Sequence, residues 1–173
     1  CAIMLVAAMN PCPCGYFGHP TRRCTCRPAA VERYLNRVSG PLLDRLDLHI
    51  EVPPVNFDEL SAPRCGDSSE QIRRRVNAAR KIQNQRFAGT GISCNARIPT
   101  EMLDDVCMLT RAGRKLLREA FEKLDLSARA YDRVLKVART IADLAGSEEI
   151  EPAHVAEAVQ YRSLDHKYWA REL

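Results

Sequence analysis

Hydrophobic positions divide the chain into two parts with different periods. Residues 3–9 (IMLVAAM) form an uninterrupted apolar run, and residues 46–52 alternate apolar and polar side chains. A short apolar run bounded by turn residues predicts a buried strand, and strict alternation predicts a strand with one polar face. Between them, Pro28 suits the first turn of a helix that runs to about Val38. The pattern therefore predicts strand–helix–strand up to about residue 55.

Beyond about residue 68, apolar positions recur every three to four residues, which predicts helices. Ser68 and Gln71 form a capping-box pattern that opens a helix to about Phe87. Ser127 is a predicted N-cap, and Gly146 a predicted helix stop. After the helix that ends near Phe87, further helices are predicted at residues 100–109, 110–124, 128–145 and 152 onward.

Composition indicates a globular protein with 46% hydrophobic and 28% charged residues and a net charge of +4. This charge permits an anionic partner without requiring one. No apolar run approaches the roughly 18 residues of a membrane span, and no secretory signal pattern precedes the first strand, so we predict a cytoplasmic protein. A central strand without partners would be an exposed edge, so we expect part of the first domain to lie upstream of this chain.

Four of the eight cysteines lie together in the loop at 10–28, as the pairs Cys12-x-Cys14 and Cys24-x-Cys26. Zinc in structural sites takes four tetrahedral ligands, and two short cysteine pairs brought together by a turn supply them. The sequence therefore predicts a closed, structural zinc site. The alternatives are reduced surface thiols, or His19 in place of one cysteine. A redox motif is less favoured because the pairs lack the helix N-terminus that lowers a thiol pKa.

A predicted helix near residues 70–87 is strongly basic. Nucleic-acid phosphates would suit such a helix, and the alternative is a solvated helix face. Its cations are Arg73, Arg74, Arg75, Arg80, Lys81 and Arg86.

Three stretches of the chain resemble the magnesium-chelatase-like AAA+ ATPases of the ComM type: AAMNPCPCG, SGPLLDRLDL and LSARAYDRVLKVARTIADL. The resemblance covers nearly the whole chain. It implies an α/β fragment of an AAA+ core, strand–helix–strand, at residues 1–55, with a cysteine-rich insert at 10–28. A linker and the basic helix would follow at 56–96, and an all-α C-terminal lid domain at 97–173. The chain would then be predominantly helical.

The resemblance also implies roles for three polar residues. Asn10 is similar to the sensor-1 residue that positions the attacking water, and Arg45 to an arginine finger that reaches a neighbouring subunit's nucleotide. Arg129 is similar to the sensor-2 arginine of the lid. Without the resemblance, Asn10 is a turn residue, Arg45 pairs with a neighbouring aspartate, and Arg129 is solvated or paired with Asp125. Arg129 is unusual on physical grounds as well, because a cation in the first turn opposes the helix macrodipole.

The sequence departs from the family in two large respects. It contains no G-x-x-x-x-G-K-[ST] loop and no strand that ends in paired acidic residues for Mg²⁺, so this chain alone is predicted not to hydrolyse ATP. The resemblance implies a parent protein that uses ATP and Mg²⁺, forms a homo-oligomeric ring such as a hexamer, and acts on DNA in recombination or natural transformation. The alternatives are a motor for Mg²⁺ insertion into a porphyrin, and a stand-alone zinc-containing nucleic-acid-binding module.

Overall fold

The computed structural model describes residues 3–55, 57, 61 and 66–162, and over these residues the protein is predominantly helical, as predicted. None of the helices in this part of the chain combines the length and apolar content that a membrane crossing requires. The helices are α1 (Pro28–Leu35), α2 (Gly40–Leu43), α3 (Ser69–Arg86), α4 (Leu103–Val106), α5 (Arg111–Lys123), α6 (Ala128–Ala145) and α7 (Pro152–Gln160). Two 3₁₀ turns, Asn95–Arg97 and Thr100–Met102, lie between α3 and α4.

The main core is built around α6, which contacts α3, α4, α7 and the first 3₁₀ turn, while α5 packs on α7. One face of α6 is small and aliphatic and is almost completely excluded from water. Leu117 of α5 and Val155 of α7 pack into the same cluster. The α6 residues in this core are Ala130, Val134, Leu135, Ala138 and Ala142.

The helix boundaries follow the predicted caps where those caps are local. Ser68 and Gln71 form the reciprocal capping box of α3. Thr110 and Ser127 each accept a hydrogen bond from a backbone N–H of the first turn of α5 and α6. Gly146 ends α6 in the left-handed conformation, at φ +72°, which a residue without a Cβ adopts at little cost.

The helix predicted from Thr100 to Leu109 is wrong at both ends. Thr100 opens a 3₁₀ turn, its hydroxyl donates to Asp132, and the α-helical part ends at Val106. The chain leaves the helix because the next residues pair with a distant segment. Ile150 donates its N–H to the Met108 carbonyl at 2.8 Å, and Leu109 and Ile150 form a parallel β-bridge.

The strands predicted at 3–9 and 46–52 do not form in the structure. Met4 and Val6 are 89% and 82% exposed, and Ile50 and Val52 are 66% and 82% exposed. A strand is stabilised by the ladder it shares with a neighbour, and no sheet is present among the described residues for either segment to join. The strand–helix–strand prediction is therefore not confirmed, and both segments expose their apolar side chains.

Candidate metal centre and arginine cluster

The four cysteines predicted to bind zinc meet at one point. The Sγ atoms of Cys12, Cys14, Cys24 and Cys26 all lie within 4.8 Å of one another. Cys12 and Cys24 are 3.7 Å apart, and Cys14 lies 3.3 Å and 3.5 Å from these two. Tetrahedral zinc with Zn–S bonds of about 2.3 Å separates its sulfurs by roughly 3.8 Å. The spacing therefore fits a four-thiolate metal site without rearrangement of the loop.

Local backbone turns and α1 hold the thiols in place. Gly15 closes a turn onto the Cys12 carbonyl at a φ of +82°, and the Phe17 N–H donates to the Cys12 Sγ at 3.3 Å. Val31 and Leu35 of α1 bury the thiols on one side, and Cys12 is completely buried. Residues 10–38, here called the cysteine unit, thus have a small core of their own that shares no residue with the core around α6.

The cysteine thiols differ in how readily they ionise. The backbone N–H groups of Tyr16 and Thr25 lower the pKa of Cys14 to about 5. The N–H of Cys26 also favours the thiolate of Cys24, but burial and the neighbouring sulfurs outweigh it and raise the pKa of Cys24 to about 12. Thiolates at this spacing cannot all ionise beside one another, so one carries charge while others keep protons. A divalent cation removes that conflict, because a coordinating thiol is deprotonated outright.

His19, the alternative ligand, lies outside the cluster of four sulfurs. Its Nδ1 accepts the backbone N–H groups of Thr21 and Arg22 at 3.2 Å and 3.1 Å. The imidazole is therefore used to close the loop between the two cysteine pairs.

The three residues singled out by the resemblance are all exposed. Asn10 directly precedes the cysteine turn, and its amide lies beside Gly15. Arg45 follows α2 and donates to the Pro41 carbonyl at 3.0 Å. Arg129 is the second residue of α6.

The structure joins the segment of Arg45 to the helix of Arg129. Asp44, the neighbour of Arg45, accepts a hydrogen bond at 3.4 Å from Ser127, the N-cap of the helix that carries Arg129. Asp47 pairs with Arg133, one turn further along α6. The aspartates beside Arg45 therefore bind other elements, which contradicts the local pairing considered for it. Within the described residues, no hydrogen bond joins Asn10 to residues 43–49.

Arg162, which sequence reasoning did not single out, holds this segment against the end of α7. Its side chain is 1% exposed, and its Nη1 donates to the Leu46 carbonyl at 2.6 Å. Its Nη2 also contacts Asp44 at 3.4 Å, and the His49 N–H donates to the Tyr161 carbonyl at 2.9 Å. The only sequence signal was an arginine after a helix, where attraction to the helix C-terminus already accounts for a cation.

A second buried network fixes α3 against α6 and corrects the interpretation of the basic helix. Arg86 lies inside the fold, where its guanidinium donates to both oxygens of Asp143 at 2.5 Å and 2.9 Å. Asp143 also accepts hydrogen bonds from Asn95 at 2.7 Å and from Arg139 at 3.1 Å. Burial opposes the charge, but the hydrogen bonds from Arg86 and Asn95 outweigh it and lower the pKa of Asp143. Arg86 is therefore partly buried, with 21% of its side chain exposed, and its guanidinium is committed to Asp143 rather than available to nucleic acid.

The remaining cations of α3 lie on the exposed side of the helix, although two are paired. Arg75 binds Asp67 at 2.5 Å, and Arg74 lies 4.0 Å from Glu70. Towards the C-terminal half, an open groove is lined by Asn77, Arg80, Lys81, Asn84, Gln85 and Ala88. This groove carries amide and cationic side chains and no carboxylate.

Comparison with known proteins finds similarity over nearly the whole chain. Residues 66–162 match the family model described as magnesium chelatase, subunit ChlI C-terminal, and residues 1–60 match the model described as magnesium chelatase, subunit ChlI. The competence protein ComM of Haemophilus influenzae is 44% identical over 161 residues, which cover 92% of this chain and 30% of that protein.

Two further relatives are both called YifB and described as uncharacterized. The protein from Escherichia coli is 42% identical over 164 residues, and the one from Salmonella typhimurium is 41% identical over 163 residues. Each match covers 93% of this chain and 31% of the relative, so the chain spans less than a third of the length of these curated relatives. With both family models matched and the sequence similarity spread over almost its whole length, the chain belongs to the magnesium chelatase subunit ChlI family, as the motifs predicted.

Proposed function

We propose that this chain is part of an AAA+ ATPase that binds ATP and Mg²⁺, hydrolyses ATP in a homo-oligomeric ring, and acts on DNA. Family membership supports the ATPase assignment, and the name competence protein of the Haemophilus influenzae relative supports a role in recombination or natural transformation. In this proposal residues 97–173 are the lid, and the nucleotide-gripping loop and Mg²⁺ ligands belong to the rest of the protein.

The exposed apolar segments fit a role as AAA+ core strands. Residues 3–9 and 46–52 have the apolar patterns of buried strands, yet Ile3, Met4, Ile50 and Val52 are each more than 60% exposed. Burial of these apolar side chains would be favourable, whereas their exposure to water costs free energy. We propose that both segments join a sheet whose other strands are contributed by the rest of the ATPase.

The observation that carries the proposal is that the segment of Arg45 is bonded to the helix of Arg129. Arg45 follows Asp44 and Arg129 lies two residues after Ser127, so each exposed arginine is close in sequence to one partner of the Ser127–Asp44 hydrogen bond at the N-terminus of α6. A helix N-terminus favours anions, and two arginines beside it add charge-assisted donors for phosphate oxygens. Because Asp44 and Asp47 fasten the segment to α6, we propose that both arginines contact ATP phosphates, with Arg45 reaching the nucleotide of a neighbouring subunit, while Asn10 positions the attacking water in its own subunit.

Substitution of each arginine in the full-length protein tests the site. An arginine that stabilises the charge of the transition state contributes about 10³–10⁵ in rate, so Arg45→Ala should lower ATP turnover by at least about 10³ while leaving ATP binding intact. Arg129→Ala should act in the same direction. Arg118→Ala, an exposed arginine on α5, is the matched control and should leave turnover unchanged. Wild-type turnover in the Arg45→Ala protein would refute the assignment.

We also propose that Cys12, Cys14, Cys24 and Cys26 hold one structural Zn²⁺. The sulfur spacing supports a tetrahedral ion, and a site closed by four thiolates leaves no position for a substrate. Metal analysis of the purified chain under reducing conditions should find about one zinc per chain. Cys12→Ser should abolish this zinc, whereas Cys94→Ser, which changes a thiol outside the cluster, should retain it.

The main rival keeps the ATPase and changes its task. The family models carry the name magnesium chelatase, which favours insertion of Mg²⁺ into a porphyrin. The stretch 71–100 favours DNA, because it contains six arginines and lysines besides the Asp143-bound Arg86, and no aspartate or glutamate. Stimulation of ATP turnover by DNA, without any porphyrin metallation, is expected. Porphyrin metallation that DNA does not affect would favour the rival.

A further inference from the structure

The outer surface of the cysteine unit has the composition of a nucleic-acid contact. We propose that it binds single-stranded nucleic acid by stacking bases on Phe17 and binding phosphates with Arg22 and Arg23. This inference rests on the DNA part of the proposed function and adds a site to it. The residues are separate from the groove on α3 and from the two arginines at the N-terminus of α6.

The charge of this surface is of one sign. Residues 1–31 contain no aspartate or glutamate, and Arg22, Arg23 and Arg27 are all exposed. A Zn²⁺ ion with four thiolates carries a charge of about −2, which the three arginines exceed. Cys12 is fully buried under α1 and the other three cysteines are half-buried, whereas the three arginines are exposed. A ligand that approaches from outside therefore meets cations first.

Arg22 is held in place by aromatic side chains. Its Nη1 donates to the Tyr16 hydroxyl at 2.8 Å, and its guanidinium carbon lies 5.3 Å from the centre of the Tyr16 ring. Tyr16 in turn packs edge-on against His19, with 5.6 Å between the ring centres. Since the Nδ1 of His19 accepts backbone N–H groups, the neutral imidazole carries its proton on Nε2. The guanidinium is therefore preorganised, so less side-chain entropy is lost when it binds a phosphate.

Phe17 follows Tyr16, which binds Arg22, and provides the stacking surface. Phe17 is 41% exposed, although its backbone N–H is fixed by the hydrogen bond to the Cys12 sulfur. The cysteine loop thus fixes the backbone that carries this exposed aromatic ring. Every base has a π-face, and stacking on aromatic side chains is how sequence-tolerant proteins hold single strands.

The combination of rings and donors selects among anionic partners. An acidic peptide would engage the arginines but would leave Phe17 without a partner. Duplex DNA would offer its phosphates, but its bases are already stacked and paired. A single strand satisfies both the arginines and the exposed ring, which is why we assign this class of ligand.

The test measures binding of a fluorescently labelled oligothymidylate to the zinc-loaded chain by anisotropy. Phe17→Ala should weaken the affinity about five-fold to 100-fold, which corresponds to the loss of one stacking contact. Phe17→Leu should weaken the affinity similarly, because this variant keeps the bulk of the side chain but lacks a π-face. Arg22→Gln and Arg23→Gln should each reduce the slope of log K against log salt by roughly 0.7. Arg22→Lys should keep that slope and lose part of the affinity, because it keeps the charge and loses the planar fork.

The controls separate this site from the others. Zinc content must equal the wild-type value in every variant, and Arg118→Gln should bind like wild type. If Arg73→Gln/Lys81→Gln on α3 abolishes binding while the Phe17 and Arg22 variants bind normally, the DNA role stands and this inference is wrong. If polyglutamate displaces the oligonucleotide at equal charge concentration and Phe17→Ala has no effect, the surface recognises carboxylates and the inference is also wrong.

Discussion

Removal of the metal should unfold the cysteine unit and leave the helical core intact. The cysteine unit buries few apolar side chains. The buried residues of its described core cluster are Cys12, Val31 and Leu35, and the two aliphatic side chains are 6% and 7% exposed. Burial of two such side chains contributes about 3–6 kcal/mol. Structural zinc contributes an apparent 10–16 kcal/mol at neutral pH, roughly two to four times as much. With the proposed zinc ion bound, metal binding would therefore be the dominant stabilising term for residues 10–38.

Hydrogen exchange measured by mass spectrometry can locate the effect. Under reducing conditions with a zinc chelator, peptides that cover α1 should lose protection, while peptides from α5, α6 and α7 should exchange as before. Cys12→Ser should reproduce this pattern without chelator. Cys94→Ser is the matched control, because it removes a half-buried thiol outside the cluster. Unchanged protection of α1 after complete metal removal would show that the reasoning is wrong.

Three further outcomes concern the helical core. Asp143→Ala should lower the free energy of unfolding in urea by about 3–5 kcal/mol, because it leaves buried guanidinium groups without a counterion. Asp67→Ala, which breaks an exposed pair with Arg75, should change it by less than about 1 kcal/mol, and equal effects would contradict the network. Because the folded-state pKa of Asp143 is lowered, its contribution to the free energy of unfolding should be complete above the ordinary pKa of 3.8 and lost as the pH falls through the folded-state pKa. Urea titrations at several pH values should show this acid loss in the wild type and not in Asp143→Ala. Gly113→Ala should lower the thermal midpoint despite better helix propensity, because its Cβ would lie 2.8 Å from the Ile150 carbonyl oxygen, and an unchanged or higher midpoint would contradict this close approach.

The features that sequence predicted correctly depend on residues close together in the chain. The capping box of Ser68 and Gln71 spans three residues, and its partners meet as soon as the first turn forms. The four cysteines lie within 15 residues, so loop closure costs little and their spacing alone indicated a shared site. The family motifs singled out Arg45 and Arg129, although no pattern indicated that the segment of one is bonded to the helix of the other.

The features that sequence did not predict depend on partners far along the chain. Arg86 and Asp143 are 57 residues apart, and Arg162 and Leu46 are 116 apart. Nothing local distinguishes Arg86 from the exposed arginines of the same helix, because only the packing of α3 on α6 brings its guanidinium to Asp143. The two predicted strands failed for the same reason, since a strand is stabilised by a neighbouring strand and no sheet is present among the described residues.

By itself, then, the sequence determined the helix boundaries that local caps set, the thiol cluster and the family, all of which depend on short-range spacing or on matching motifs. Only the tertiary structure decided which arginines carry the fold and which reach solvent, because that depends on how α6 packs against α3, α7 and the segment at 43–49. A guanidinium buried beside Asp143 stabilises the core, and one exposed at the N-terminus of α6 is available to phosphate. The residue type is identical, and its surroundings decide its role.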